Sequence, residues 1–296
     1  MSYRAAKISF DGSHYIAIPK ENFPRGRKRR RTAIPPTQKE IEQKEQFEAA
    51  YKESRKLPYK ERKAYMQKAM EEAIPDKEQR KEYVEQNNER KKTNVIRRKV
   101  RLAKKAYLQE WSFFCTFTFS DALHTEESFR KSLRNTFKHL VARKGWKHIG
   151  VWERGGDTNR LHFHGIFYIP PGEMVGEIVE TKDYSTKDHR MQTVHQNTYF
   201  LERYGRNDFQ PLGSPMEVQH SLGYLMKYIE KSGEQLIYGG DLPTCFKSDV
   251  MDEDILVSCG IGNRKAVLAD DFTCISDGEI MGTVSKEIIE KMPKAN

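Results

Sequence analysis

Two histidines in one short run offer the densest chemistry in this chain. His162 and His164 lie within Arg160-Leu161-His162-Phe163-His164-Gly165-Ile166-Phe167-Tyr168-Ile169. Aromatic and branched apolar residues fill the run, no proline interrupts it before Pro170, and glycines precede it, so it reads as a β-strand. Residues two apart on a strand share a face. Both imidazoles therefore aim at one spot, while Phe163 points the other way into a core. Neutral imidazoles so placed suit a divalent cation.

A carboxylate sharpens the pattern. Ile149 to Arg154 reads as a second strand, and Gly155-Gly156-Asp157-Thr158-Asn159 as the turn between the two. If the turn is centred between Asp157 and Thr158, Glu153 falls opposite His162. Opposed residues share a face, with Cβ atoms about 4.5–5.5 Å apart. Glu153, His162 and His164 then form a His-His-carboxylate metal site. A slip of one residue would send Glu153 to the other face. The competing reading is a polar strand edge whose histidines bind nothing.

A potential nucleophile stands further along. Ser221 to Gly233 reads as a helix closed by glycine, with Tyr224 and Tyr228 four apart on one face. Lys227 and Lys231 each follow a tyrosine by three residues, so Tyr-x-x-Lys occurs twice in register. A phenol is a poor nucleophile at its free pKa of about 10, and a nearby cation favours the phenolate. A phosphotyrosine can store the energy of a phosphodiester bond and return it to a hydroxyl. The plainer reading of this stretch is core packing with surface charge.

The elements that must hold these groups follow from pattern. Ser112 to Phe119 is β-branched and aromatic, a strand. Thr125, followed by Glu126 and Glu127, caps a helix whose apolar face is Phe129, Leu133, Phe137, Leu140 and Val141, ending at Gly145. The order to this point is β-α-β-β. Asn197 to Leu201 and Asp208 to Leu212 read as strands, and Gly213-Ser214-Pro215 as a break. Arg154 and Arg160 flank the site as candidate phosphate contacts, with solvated turn residues as the alternative. His189 and His195 carry no assigned role.

Charge is uneven. Residues 1–110 hold 30 Lys and Arg against 16 Asp and Glu, a net of +14; the remainder holds 22 against 26, a net of −4. That asymmetry points to a polyanion, nucleic acid above all. Arg25 to Arg31 carries six positive charges in seven residues, a candidate phosphate-contacting arm, import signal or solvated tail. Residues 38–110 are helical in composition, broken at Pro58 and Pro75, with a thin stripe of Tyr65, Ala69 and Ala73. Arg90 to Lys105 carries nine basic residues and reads as a basic amphipathic helix, lying on the catalytic domain or along DNA, or as an ordinary solvated face. Cys115, Cys245, Cys259 and Cys274 are too widely spaced for a zinc ribbon or a secreted disulfide framework. No signal peptide or membrane span is expected. The expected organisation is a flexible basic arm (1–36), a charged helical extension (37–110), a catalytic domain (111–233) and a C-terminal segment packing on it (234–296).

With these residues in view, the chain resembles the HUH endonucleases, the rolling-circle replication initiators and their relatives. His162-Phe163-His164 matches their His-hydrophobic-His motif, and Phe114 to Phe119 is similar to the strand motif before it. Glu153 sits where many initiators place a carboxylate ligand. Tyr224-Leu225-Met226-Lys227-Tyr228-Ile229-Glu230-Lys231 is similar to the doubled tyrosine motif of the two-tyrosine gene A initiators of small icosahedral bacteriophages. The resemblance covers about residues 112–232. It implies an α+β fold: an RRM-like palm with a central antiparallel sheet in β-α-β-β-α-β order, flanking helices, and an N-terminal basic helical extension. It implies Mg²⁺ or Mn²⁺ held by Glu153, His162 and His164, attack by Tyr224 or Tyr228, and charge stabilisation by Lys227 and Lys231. The substrate would be single-stranded DNA or an origin hairpin, cut to leave a 5′-phosphotyrosine and a free 3′-OH for a host polymerase. No Gly-Lys pair occurs in the sequence, so unwinding is expected from a separate helicase. The setting implied is a bacterial cytoplasm for a phage protein, or a nucleus for a eukaryotic host. The alternatives are an HUH relaxase or transposase, and a non-catalytic RRM-like nucleic-acid-binding protein.

Overall fold

The computed structural model describes residues 3–20, 35–155, 159–185, 189–231, 236–260 and 264–296. The chain falls into two compact units, residues 1–23 with 98–296, and residues 24–97. The class is α+β, with antiparallel sheets and seven α-helices among the described residues.

Strands β1 (Tyr3–Phe10) and β2 (Tyr15–Pro19) form a hairpin at the start of the first unit. Residues 3–19 are thus ordered strand rather than the flexible arm expected for 1–36. The basic run Arg25 to Arg31 lies outside the described residues.

The second unit holds α1 (Gln38–Ser54), α2 (Tyr59–Ala69) and the start of α3 (Lys77–Tyr107). Thr37 and Glu40 close a capping box at the start of α1. Its core is Phe47, Ala50, Met66, Met70, Ile74 and Val84. Tyr65, placed on the apolar stripe by spacing, is exposed; its neighbour Met66 is buried instead.

The expected site elements form next: β3 (Phe113–Thr118), α4 (Glu126–Lys144), β4 (Lys147–Arg154) and β5 (Leu161–Tyr168). Thr125 caps α4 by accepting from the Ser128 amide, and Gly145 ends it at φ 66°, a left-handed conformation that suits glycine. A hairpin of β6 (Ile178–Ser185) and β7 (Arg190–Asn197) follows. Then come α5 (Thr198–Tyr204), β8 (Asn207–Pro211), α6 (Pro215–Lys231) and β9 (Ile237–Gly239).

Residues 198–201, read as strand, are helical. Asn197 is the cause, since its side-chain oxygen accepts from the Phe200 amide and starts α5. The break at 213–215 is the entry to α6. Pro215 takes the first helical position, and the Glu217 carboxylate accepts from the Gly213 and Ser214 amides.

The site sheet runs β8-β3-β5-β4-β9, every neighbour antiparallel. One face packs on α4: Phe117, Trp152, Phe163 and Phe167 share a core with Phe129, Leu133, Phe137 and Leu140. Each such ring contributes about 1.5–3 kcal/mol by leaving water. The other face carries Ile149, Val151 and Ile166, all buried, and α6 lies over β4 and β5 with Leu222, Leu225 and Ile229 buried.

The C-terminal residues divide. β9 joins the site sheet, while β10 (Cys245–Met251), β11 (Ile255–Cys259), β12 (Lys265–Leu268), β13 (Thr273–Ser276), β14 (Glu279–Thr283) and β15 (Lys294–Ala295) join the β1–β2 hairpin in an eight-stranded sheet. Helix α7 (Lys286–Lys291) packs against that sheet's core through Ile288 and Ile289.

Candidate active site

Register decides which side chains meet. β4 pairs with β5 so that Glu153 stands opposite His162, and β3 pairs with β5 so that Thr116 stands opposite His164 and Thr118 opposite His162. Thr118, His162 and Glu153 therefore form one cross-strand row, and Thr116 and His164 belong to the next. Phe163 points to the α4 face and is fully buried, as alternation requires.

Each imidazole is fixed through Nδ1. Thr116 Oγ1 lies 3.0 Å from His164 Nδ1, and Thr118 Oγ1 lies 2.8 Å from His162 Nδ1. His164 Nε2 reaches Glu153 Oε2 at 2.9 Å. The threonines are the partners that sequence reasoning missed. Their signal was available: Thr116-x-Thr118 repeats the two-residue spacing of the histidines on the neighbouring strand.

Helix α6 delivers the phenols. Tyr224 Oη donates to Glu153 Oε2 at 3.1 Å. Ring centroids lie 5.4 Å apart between Tyr224 and His164, 6.3 Å between Tyr228 and His164, and 5.0 Å between the two tyrosines. Phe114 braces the group, stacked on His164 and edge-on to Tyr224.

Electrostatics follow from this packing. Burial alone would raise Glu153, but hydrogen bonds from His164 and from both phenols outweigh it and hold the carboxyl below its ordinary range. Burial, then the charge of His164, holds His162 below its usual value, which favours the neutral ring. Burial and the Glu153 carboxylate push Tyr224 up to about 12. Tyr228 is raised by burial first and by Glu153 after it.

The structure brings together Glu153, His162, His164, Tyr224 and Tyr228. Lys227 is exposed, with no hydrogen bond or ion pair among the described residues. The side chain of Lys231 lies outside the described residues. Arg154 is engaged by Glu126 and by the Asn159 carbonyl, and Arg160 by Asp121 and the Phe119 carbonyl. Neither is a free phosphate contact in this arrangement. A cleft of about 380 Å³ opens beside the histidines, and its wall includes Gln192, Arg206 and Asp208, none of which the sequence had marked.

In kind, the donor set fits a divalent cation: two imidazole nitrogens whose other ring nitrogens are already engaged, and one carboxylate. In position it is not closed around one. Among the described residues no three His, Cys, Asp or Glu side chains stand grouped as metal ligands, because Glu153 is hydrogen-bonded onto His164.

Residues 112–233, under half of the chain, match the replication-associated protein ORF2 family. That match supports a replication-associated protein of the initiator type. It spans the site sheet from β3 through α6 and includes both strands and the helix that carry the cluster. No curated protein and no solved structure matches the chain. Among the described residues no helix is long and apolar enough to cross a membrane.

Proposed function

We propose that this protein initiates rolling-circle replication by nicking one DNA strand through a tyrosine. The observation that carries the reading is the placement of the Tyr224 hydroxyl 3.1 Å from a carboxylate that itself touches a histidine of the His-x-His strand. The family match over the same residues supports it. The strand order of the site sheet supports an RRM-like palm.

Glu153, His162 and His164 would hold Mg²⁺ or Mn²⁺. When bound, the cation supplies Lewis acidity at the scissile phosphate and positive charge beside the phenols. The remaining work belongs to the chain. Glu153 Oε2 orients the Tyr224 hydroxyl and stands where its proton can be received. Thr116 and Thr118 fix the imidazole planes. Phe114 and the α6 core hold the phenols in place. The phenol oxygen forms a bond to phosphorus, the 3′ oxygen departs and takes up a proton, and a 5′-phosphotyrosine remains. Lys227, on the exposed side of α6, would offset charge developing on DNA bound over the site; Lys231 has the same proposed role. Polymerase and helicase are proposed as separate partners.

The test is nicking of a supercoiled or single-stranded candidate origin. Cleavage is expected with Mn²⁺ or Mg²⁺ and abolished by chelator. Cleavage that persists at full rate in chelator would remove the metal from the account.

A further inference from the structure

The wall of the cleft opposite the helix is built by the β6–β7 hairpin, which pairs with no other strand in a sheet. Its base is locked to β8. Asn197, fully buried, receives a bond at its amide from Asn207 Oδ1 at 2.7 Å, and Asn207 Nδ2 donates back to the Asn197 carbonyl at 3.1 Å. The His195 amide donates to Asp208 Oδ1 at 3.0 Å. A hairpin held this firmly keeps its side chains in a fixed relation to the histidines.

Asp183 and Gln192 are directly paired across the hairpin and so share a face. Asp183 forms an ion pair with Arg206, and both Gln192 and Arg206 border the cleft. Gln192 has no hydrogen-bond partner among the described residues. Its amide therefore presents a free donor and a free acceptor side by side in the cleft. That is the complement of a nucleobase edge, which offers the same pair in reverse. The cleft volume sits at the small end of the usual ligand-site range of about 300–1,000 Å³, a space suited to a single nucleotide.

We propose that this hairpin selects the sequence that is cut. The Gln192 amide reads the edge of one unpaired base beside the scissile phosphate, and Arg206, oriented by Asp183, binds the adjoining backbone phosphate. The inference rests on the endonuclease reading above. Tyr184 and Met191 occupy the opposite face of the hairpin and take no part.

The experiment is cleavage of a single-stranded library randomised around the nick site, by the full chain with Mn²⁺, with thermal melting to confirm that each variant is folded. Wild type is expected to prefer one base at one position. Gln192→Ala should flatten that preference on the order of tenfold and leave other positions unchanged. Arg206→Ala should raise KM for all library members alike, and Tyr184→Ala should match wild type. An unchanged preference profile in folded Gln192→Ala overturns the inference while leaving the endonuclease intact. If wild type cleaves no library member, the endonuclease reading falls and this one with it.

Discussion

Thr116 and Thr118 are the residues on which the imidazole geometry turns. A ring that binds a cation through Nε2 carries its proton on Nδ1 and donates it to a neighbour. Here the neighbours are the two threonine hydroxyls. Thr118→Val, close in size, removes the partner of His162 and leaves the ring. Mn²⁺ affinity measured by calorimetry should fall about 10–100-fold; unchanged affinity would show that the hydroxyl plays no part in holding the ring. At this scale much was legible. Alternation put both histidines on one face, and turn position put Glu153 opposite His162, the register observed. The convergence of Tyr224 on Glu153 was not legible from the residues alone, because spacing within α6 says nothing about which sheet face the helix covers. Gln192 and Arg206 were invisible for a similar reason: they reach the cleft through a hairpin whose placement depends on the buried Asn197–Asn207 pair.

The strands β4 and β5 can lie as they do because glycine faces glycine at Gly150 and Gly165. A Cβ on Gly150 would stand 2.2 Å from Phe163 Cζ, inside a ring that is fully buried. Gly150→Ala is therefore expected to destabilise the unit by about 1–3 kcal/mol through overpacking, read as a lower urea midpoint with an unchanged slope. A midpoint equal to wild type would mean that Phe163 has room to move. Strands with strong alternation and the Thr125-capped helix were readable in advance because their own residues specify them. The β6–β7 hairpin was not. Polar residues such as Glu180, Lys182, Thr193 and Gln196 give it little apolar alternation, and its pairing is sustained by the anchor at its base. Helix α5 was misread because Asn197 caps a helix in a run of aromatic residues that favours strand.

For the molecule as a whole, the largest departure from expectation is the sheet that joins both ends of the first unit. β1 pairs with β10 across nearly the whole length of the chain, from Tyr3 opposite Met251 to Ile8 opposite Phe246. Local pattern found strand-like runs in residues 15–18, 255–257 and 266–268 but could not join them, since partners so distant in sequence are chosen by packing alone.

Stability should also respond to acid through one buried group. His148 on β4 is 4% exposed, with Phe167 stacked on its ring and Gly239 close against it. Burial lowers it to about 4. Its unfolded value is 6.5, so the unfolded chain takes up a proton first as pH falls. The stabilisation is full above pH 6.5 and drains away toward pH 4, about 3 kcal/mol in total. In chemical denaturation across that window, His148→Phe should show a pH dependence shallower by close to one proton. An identical slope in the two proteins would show that His148 is not the titrating group.

The account stands on a phenol of α6 acting as the nucleophile beside the His-His-Glu cluster. The direct measurement is the covalent protein–DNA product, resolved on a denaturing gel and located by mass spectrometry after proteolysis. The account predicts a metal-dependent adduct on Tyr224 or Tyr228, retained in part by Tyr224→Phe and by Tyr228→Phe and lost only in the double variant. An adduct on another residue, or cleavage with no adduct in folded wild type, would contradict it.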